Sequence, residues 1–266
     1  MKKKYNYSLI FGICITSIIV LMTIIGKFWT PYDPNELTVT LKSKAPGMEH
    51  LMGTDNLGRD IFSRVMVGTG TTLYIALCTV FAGGFFGTII GALTGYFGGW
   101  IDEIVMRIND IILSFPSILL ALIFVSVLGS GQSNIILALS ILFIPSFARI
   151  VRSEIIRLKT LDFIVNAKVM GAGHLRIIFV HLMPNIVVSM LTTAAIGFNN
   201  AILAEASMSY LGIGVQLPDA SLGRIISQSQ AYLFDAPWFA IFPGIVIILT
   251  ILGFNLMSEG LRIRST

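Results

Sequence analysis

Apolar runs long enough to cross a membrane recur along this chain, separated by short polar breaks. In order, they predict helices at about residues 9–25, 72–97, 104–128, 135–150, 186–211 and 238–257. Each is close to the roughly 20 residues that span a ~30 Å hydrocarbon core. One break carries a pattern of its own: residues 163–184 read as two short helices around Gly171-Ala172-Gly173. Ala167, Met170, Leu175, Ile178 and Leu182 form the apolar stripe of that hairpin, while Lys168, His174, Arg176 and His181 leave it wet. A basic amphipathic hairpin between two spans needs a surface to pack on, either a cytosolic protein or the membrane itself.

Within the spans, small and polar residues mark where helices meet. Gly83, Gly87, Gly91 and Gly95 recur every four residues in the second span, a ridge that lets another helix approach closely where lipid supplies no hydrophobic drive. Gly98-Gly99-Trp100 predicts a tight connection, and Pro116 and Pro145 predict kinks in the third and fourth spans. Asp110 is expected to pair with Arg107 one turn away, with a pore-lining role as the sharper alternative. Asn199, Asn200 and Glu205 lie inside the fifth span, where amide and ionisable groups face protein or water. Glu205 is the candidate for the outer translocation path, with Asp110, Asn199 and Asn200 named for the path beside it, although an interhelical hydrogen bond is the first expectation for the two asparagines. Residues 217–235 are too polar to span and predict a short amphipathic element at the outer face.

Composition fixes the class. Hydrophobic residues make up 55% of the 266 and charged residues 12%, about half the charge of a soluble domain, and the mean hydropathy is +0.85. The expected fold is an all-α integral membrane protein of six transmembrane helices, a single domain over residues 1–266 with a five-helix core at about 72–260. A net charge of +4 dispersed along the chain reflects loop bias and gives no reason to expect nucleic acid. Lys2-Lys3-Lys4 before an uncleaved first span, and Arg262 and Arg264 after the last, predict cytoplasmic termini. Six cations at Arg149, Arg152, Arg157, Lys159, Lys168 and Arg176, against Glu154 and Asp162, place the loop at 149–184 in the cytosol as well. Residues 27–70 are expected outside. There Asp55 and Asp60 should accept hydrogen bonds from nearby backbone N–H groups in a capped turn, with Arg59 or Arg64 as partners.

No phosphate-binding loop occurs, since Gly68-Thr69-Gly70-Thr71 lacks the lysine, and neither His-Glu-x-x-His nor Gly-x-Ser-x-Gly is present. Cys14 and Cys78 sit in apolar runs, so neither a disulfide framework nor a metal site is expected. Lacking a phosphate-binding loop, this chain is not expected to bind ATP on its own.

Three motifs carry a resemblance. The string Gly53-Thr54-Asp55-Asn56-Leu57-Gly58-Arg59-Asp60-Ile61-Phe62-Ser63-Arg64, the hairpin with Ala167, Gly171 and Pro184, and Ile202-Leu203-Ala204-Glu205-Ala206-Ser207 with Leu211-Gly212-Ile213-Gly214 resemble the C-type permease of dipeptide, oligopeptide and nickel ABC importers. In that family the hairpin begins with Glu-Ala-Ala. Val165 and Asn166 replace the Glu and first Ala here, so the role of that Glu has no counterpart.

The resemblance implies a bacterial inner-membrane protein in lipid. Its expected partners are a second permease, two cytosolic ATPases that bind ATP and Mg, and an extracytoplasmic solute-binding protein. It implies ATPase coupling through Asn166, Ala167, Met170, Gly171, Ala172, Gly173, His174, Leu175, Arg176 and Pro184. The compact N-terminus and Gly171-Ala172-Gly173-His174 are similar to nickel-type members, so the expected cargo leans from peptide toward nickel or a metal chelate. Two other classes stand beside this one: a membrane-embedded hydrolase using Asp110 and Glu205, and an ATP-independent secondary transporter, which would show an internal inverted repeat.

Overall fold

A computed structural model describes residues 7–265. The Lys2–Lys4 cluster lies outside the described residues, as do the side chains of Arg262 and Arg264. Among the described residues nine helices carry the fold: α1 (Tyr7–Phe28), α2 (Ile61–Phe97), α3 (Gly99–Ser114), α4 (Ser117–Leu128), α5 (Gln132–Leu158), α6 (Asp162–Val169), α7 (His174–Tyr210), α8 (Leu222–Ser229) and α9 (Trp238–Ser265). By length and composition α1, α2, α5, α7 and α9 can each cross a membrane, and α3 with α4 adds a sixth passage if counted as one.

The glycine ridge sets the central packing. A Cβ at Gly87 would lie 2.6 Å from Phe147 Cβ and 2.8 Å from the Ile144 carbonyl, and one at Gly95 would lie 2.9 Å from the Arg152 carbonyl. Gly83 and Gly91 meet Phe143 and Ala148 in the same way, so α2 and α5 touch backbone to backbone. The matched numbers rise together, and the two helices therefore run parallel. The chain must return between them, and α3 with α4 is the segment that does so. By contrast α1 packs antiparallel on α9, with Gly12 against Met257 and Gly253 against Ile15 and Thr16.

Three expectations are corrected. The second span starts at Ile61 rather than about 72, because Asp60 caps the helix through Ser63 N and the polar residues of its first turns are buried in protein instead of facing lipid. Arg64 is 0% exposed and Thr69 returns a hydrogen bond to the Val65 carbonyl. Pro116 breaks its span instead of kinking it: α3 and α4 meet at 96°. Phe115, the residue before the proline, sits at φ −89°, ψ 146°, the extended region that a following proline enforces. Pro145 lies inside α5 without ending it.

The second helix of the hairpin is not a separate piece. It continues from His174 through a wide π-turn at Ile177–Leu182 into the fifth span. Pro184 has no N–H for the Val180 carbonyl and its ring would crowd it. The wider turn accommodates the ring, and Asn185 Nδ2 donates to the neighbouring His181 carbonyl at 2.6 Å. The amphipathic element of 217–235 is α8. It is tucked into protein, with Gly223 against the Ala206 backbone and Leu222 and Ile225 in a core with Ile61, Val65 and Phe239.

Candidate functional site

The hairpin projects from the end of the bundle where α2 and α5 terminate. Helix α6 ends in a Schellman closure: Gly171 N–H donates to the Lys168 carbonyl and Ala172 N–H to the Ala167 carbonyl, both at 3.0 Å. This geometry requires the left-handed backbone that Gly171 adopts at φ +80°. The expected single stripe splits into two faces. Ile164, Ile177, Ile178 and Leu182 are buried against Ala92, Tyr96 and Ile155, with Ala172 packed on them. Met170 and Leu175 point away, 87% and 71% exposed, beside Val169. Asn166, Gly173, His174, Arg176 and Pro184 are exposed, Ala167 is half-buried, and a Cβ at Gly171 or Gly173 would meet nothing within 4 Å.

A cleft of about 420 Å³ opens between α3, α4, α5 and α7. Its polar wall comes from Ser117, Ser146, Thr193, Asn200 and Ser207, set among Leu142, Phe143 and other apolar side chains, and no ionisable group lines it. Of the four residues proposed for the pathway, only Asn200 reaches this cleft. Asn199 turns toward α9 and donates through Nδ2 to Asn255 Oδ1 at 2.6 Å, the interhelical bond expected of it. Glu205 is 0% exposed. Its Oε1 accepts from Ser209 Oγ at 2.6 Å, the Thr72 and Ser221 hydroxyls neighbour the carboxyl, and Oε2 lacks a hydrogen bond of normal geometry. Asp110 does not pair with Arg107. It meets Arg149 of α5 at 2.6 Å, alongside a bidentate Asp102–Arg152 pair. Asp110, paired with Arg149, thus lies level with Gly91 of α2, and Glu205 lies beside Thr72, about 19 residues of α2 away or roughly 29 Å.

The opposite end holds a polar knot built by the Gly53–Arg64 string. Asp55 Oδ1 accepts from the backbone N–H of Leu57 and Arg59 at 2.8 and 3.0 Å, and Oδ2 accepts from Arg59 Nε at 2.6 Å. Asp60 Oδ2 accepts from Ser63 N and Ser63 Oγ, each at 2.7 Å, which is the capped turn expected there. Gly53 and Gly58 both have positive φ and leave no room for a Cβ, facing Lys44 and Trp238, and Thr38. Thr54 is bonded to the Leu41 carbonyl and accepts from Lys44 N, and its own carbonyl accepts from Trp238 Nε1 at 3.4 Å. Arg64 donates to the Pro34 carbonyl and to Gln228 Oε1, at 3.1 and 3.2 Å. Nearby, the hydrogen bond from Lys44 holds the exposed Glu49 carboxyl below the usual carboxylate range.

Several participants escaped sequence reasoning. His50, buried and 2.9 Å from Asp60, belongs to the knot, as does Gln228 on α8. Tyr96 holds His174 at the loop end, and Asp102 clamps Arg152. His50 pairs only ten positions along, but the others join residues 50 or more apart, and no regular spacing announces any of them.

Comparison with known proteins agrees with this architecture. The family described as the binding-protein-dependent transport system inner membrane component matches residues 87–262. The dipeptide transport system permease protein DppC of Alkalihalophilus pseudofirmus is 39% identical over 97% of this chain and 85% of its own length. The glutathione transport system permease protein GsiD of Pectobacterium atrosepticum is 40% identical over 91% and 82%. Among solved structures, an inward-facing form of the MetNI methionine ABC transporter shares the fold, with a TM-score of 0.56 and 24% identity over 72% of this chain and 92% of that one. The dipeptide and glutathione names give the expectation of nickel or a metal chelate no support. Matched over most of its length, this chain belongs to the binding-protein-dependent transport system inner membrane components.

Proposed function

We propose that this chain is one of two permease halves of a peptide-importing ABC transporter, with its hairpin gripped from the cytosol by an ATPase subunit. The observation that carries the reading is the pair of faces on residues 162–182: one buried in the subunit's own core, the other offering Val169, Met170 and Leu175 to a partner. Exposed apolar side chains of this size on a short basic projection are what a protein cleft would bury. The sequence has no phosphate-binding loop, so ATP and Mg are held by the two ATPase partners.

The cleft beside Asn200 is this subunit's share of the path, completed by a second permease and loaded by a solute-binding protein at the end where the polar knot lies. Its wall offers hydroxyls and an amide but no charge. That suits the backbone of a short peptide better than a divalent metal, which favours carboxylate, imidazole or thiolate ligands. The names of the relatives point the same way. A hydrolase built on Asp110 and Glu205 gains little support from acids roughly 29 Å apart.

Gly171→Arg and Met170→Asp test the docking. In vesicles holding the whole importer, both are expected to leave this chain inserted and to abolish transport-coupled ATP hydrolysis. Undiminished hydrolysis and uptake in both would remove the assignment.

A further inference from the structure

Resting on that reading of the hairpin, we propose that Tyr96 is the positioning residue through which movement of the loop reaches the α2–α5 pair. The last turn of α2 presents a single ring to both halves of the hairpin. Tyr96 Oη and His174 Nδ1 share a hydrogen bond of 2.8 Å, with the rings 5.6 Å apart at 73°. From α6, Lys168 Nζ sits 5.7 Å from the centre of the same ring, within reach of a cation–π attraction.

Among the described residues, the Tyr96–His174 bond is the one side-chain hydrogen bond that joins residues 162–182 to α2. Besides the Lys168–Tyr96 contact and a Phe97–His174 ring pair, the packing there is apolar, through Ala92, Tyr96, Ile164 and Ile177, and such contacts can slide where a directional bond resists. Next to Tyr96, Gly95 is wedged on the Arg152 backbone and its carbonyl accepts from Lys159 Nζ at 2.9 Å. A displacement of His174 therefore arrives where α2 and α5 touch backbone to backbone. From there the glycine ridge carries it along α5, whose Phe143 and Ser146 line the cleft.

The test reads the cleft without needing to know the cargo. Ser146→Cys, with Cys14 and Cys78 replaced by Ser, puts one reactive thiol on the cleft wall. A thiol reagent then reports how much ATP changes its accessibility in the reconstituted importer. Tyr96→Phe keeps the ring and removes only the hydroxyl, so the ATP-dependent change is expected to fall roughly two- to tenfold, the worth of one net hydrogen bond. The labelling rate without ATP should stay as it was. His174→Ala should cause a comparable fall, and the double variant no more than either alone.

Full ATP response in Tyr96→Phe beside a lost response in Met170→Asp overturns the latch and spares the docking reading. An altered rate without ATP, or additive losses in the double variant, overturns it as well, since either makes Tyr96 merely structural. A full response in Met170→Asp fells the docking reading and the latch together.

Discussion

Gly87 and Gly171 are the same residue under opposite constraints. At Gly87 a Cβ would press on Phe147 and on the Ile144 carbonyl, within 2.6–2.8 Å, and that carbonyl belongs to a backbone that cannot move without separating two spans. At Gly171 a Cβ would meet open space, but φ of +80° strains any L side chain by about 1–2 kcal/mol. Gly87→Val should therefore overpack the α2–α5 seam, by ~1–3 kcal/mol or more, and lower the thermal midpoint and yield of this subunit purified on its own. Gly171→Arg should lower neither by much, since its strain is confined to an exposed tip. Size-exclusion yield and thermal unfolding of the two side by side decide it. Equal losses would mean that the tip supports the fold as well as the docking.

At the scale of elements, the short amphipathic α3 is held to α5 by two ion pairs of unequal worth. Arg152 grips Asp102 through Nε and Nη2 with both side chains at most 30% exposed, whereas Arg149 and Asp110 are each more than half exposed. Water screens the outer pair, which is worth under ~1 kcal/mol. Removing one partner of the inner, bidentate pair leaves a half-buried charge uncompensated, at a cost of about 1–3 kcal/mol. Asp102→Asn should therefore loosen α3, seen as faster proteolysis within 99–114, while Asp110→Asn changes it little. The reverse ranking would contradict the burial argument.

These elements also mark what the sequence could reveal. The ridge was legible because four-residue spacing is a local regularity, and the capped turn because Asp55 and Asp60 bond to their immediate neighbours. Pro116 announced a disturbance but not a 96° break, since the angle depends on what the two halves pack against. The early start of α2 was hidden because Ser63, Arg64 and Thr69 look unfit for lipid and in fact face protein. In the candidate site, the hairpin and Asn200 could be found from composition. Tyr96 could not, because its partner lies 78 positions away.

For the whole molecule, the parallel course of α2 and α5 fixes which surfaces share a side of the membrane. If both run the same way, the turn at Ser130 must lie with Met48 and Phe234, and the hairpin must lie opposite, whatever the bend at Pro116 suggests about a re-entrant loop. Six cations against two acids over residues 149–176 are the reason to expect the hairpin side in the cytosol. Met48, Phe234, Ser130 and Val169 are all exposed, so each can carry a single reporter thiol once Cys14 and Cys78 are replaced by Ser. With a membrane-impermeant maleimide, Met48→Cys, Ser130→Cys and Phe234→Cys should label in spheroplasts, and Val169→Cys only in inverted vesicles made without the ATPase partners that would otherwise cover it. Labelling of Ser130→Cys together with Val169→Cys would make α3 and α4 a re-entrant loop, which the α2–α5 register forbids. Exchange of all four sides would set the hairpin against the exterior, where no ATPase could hold it.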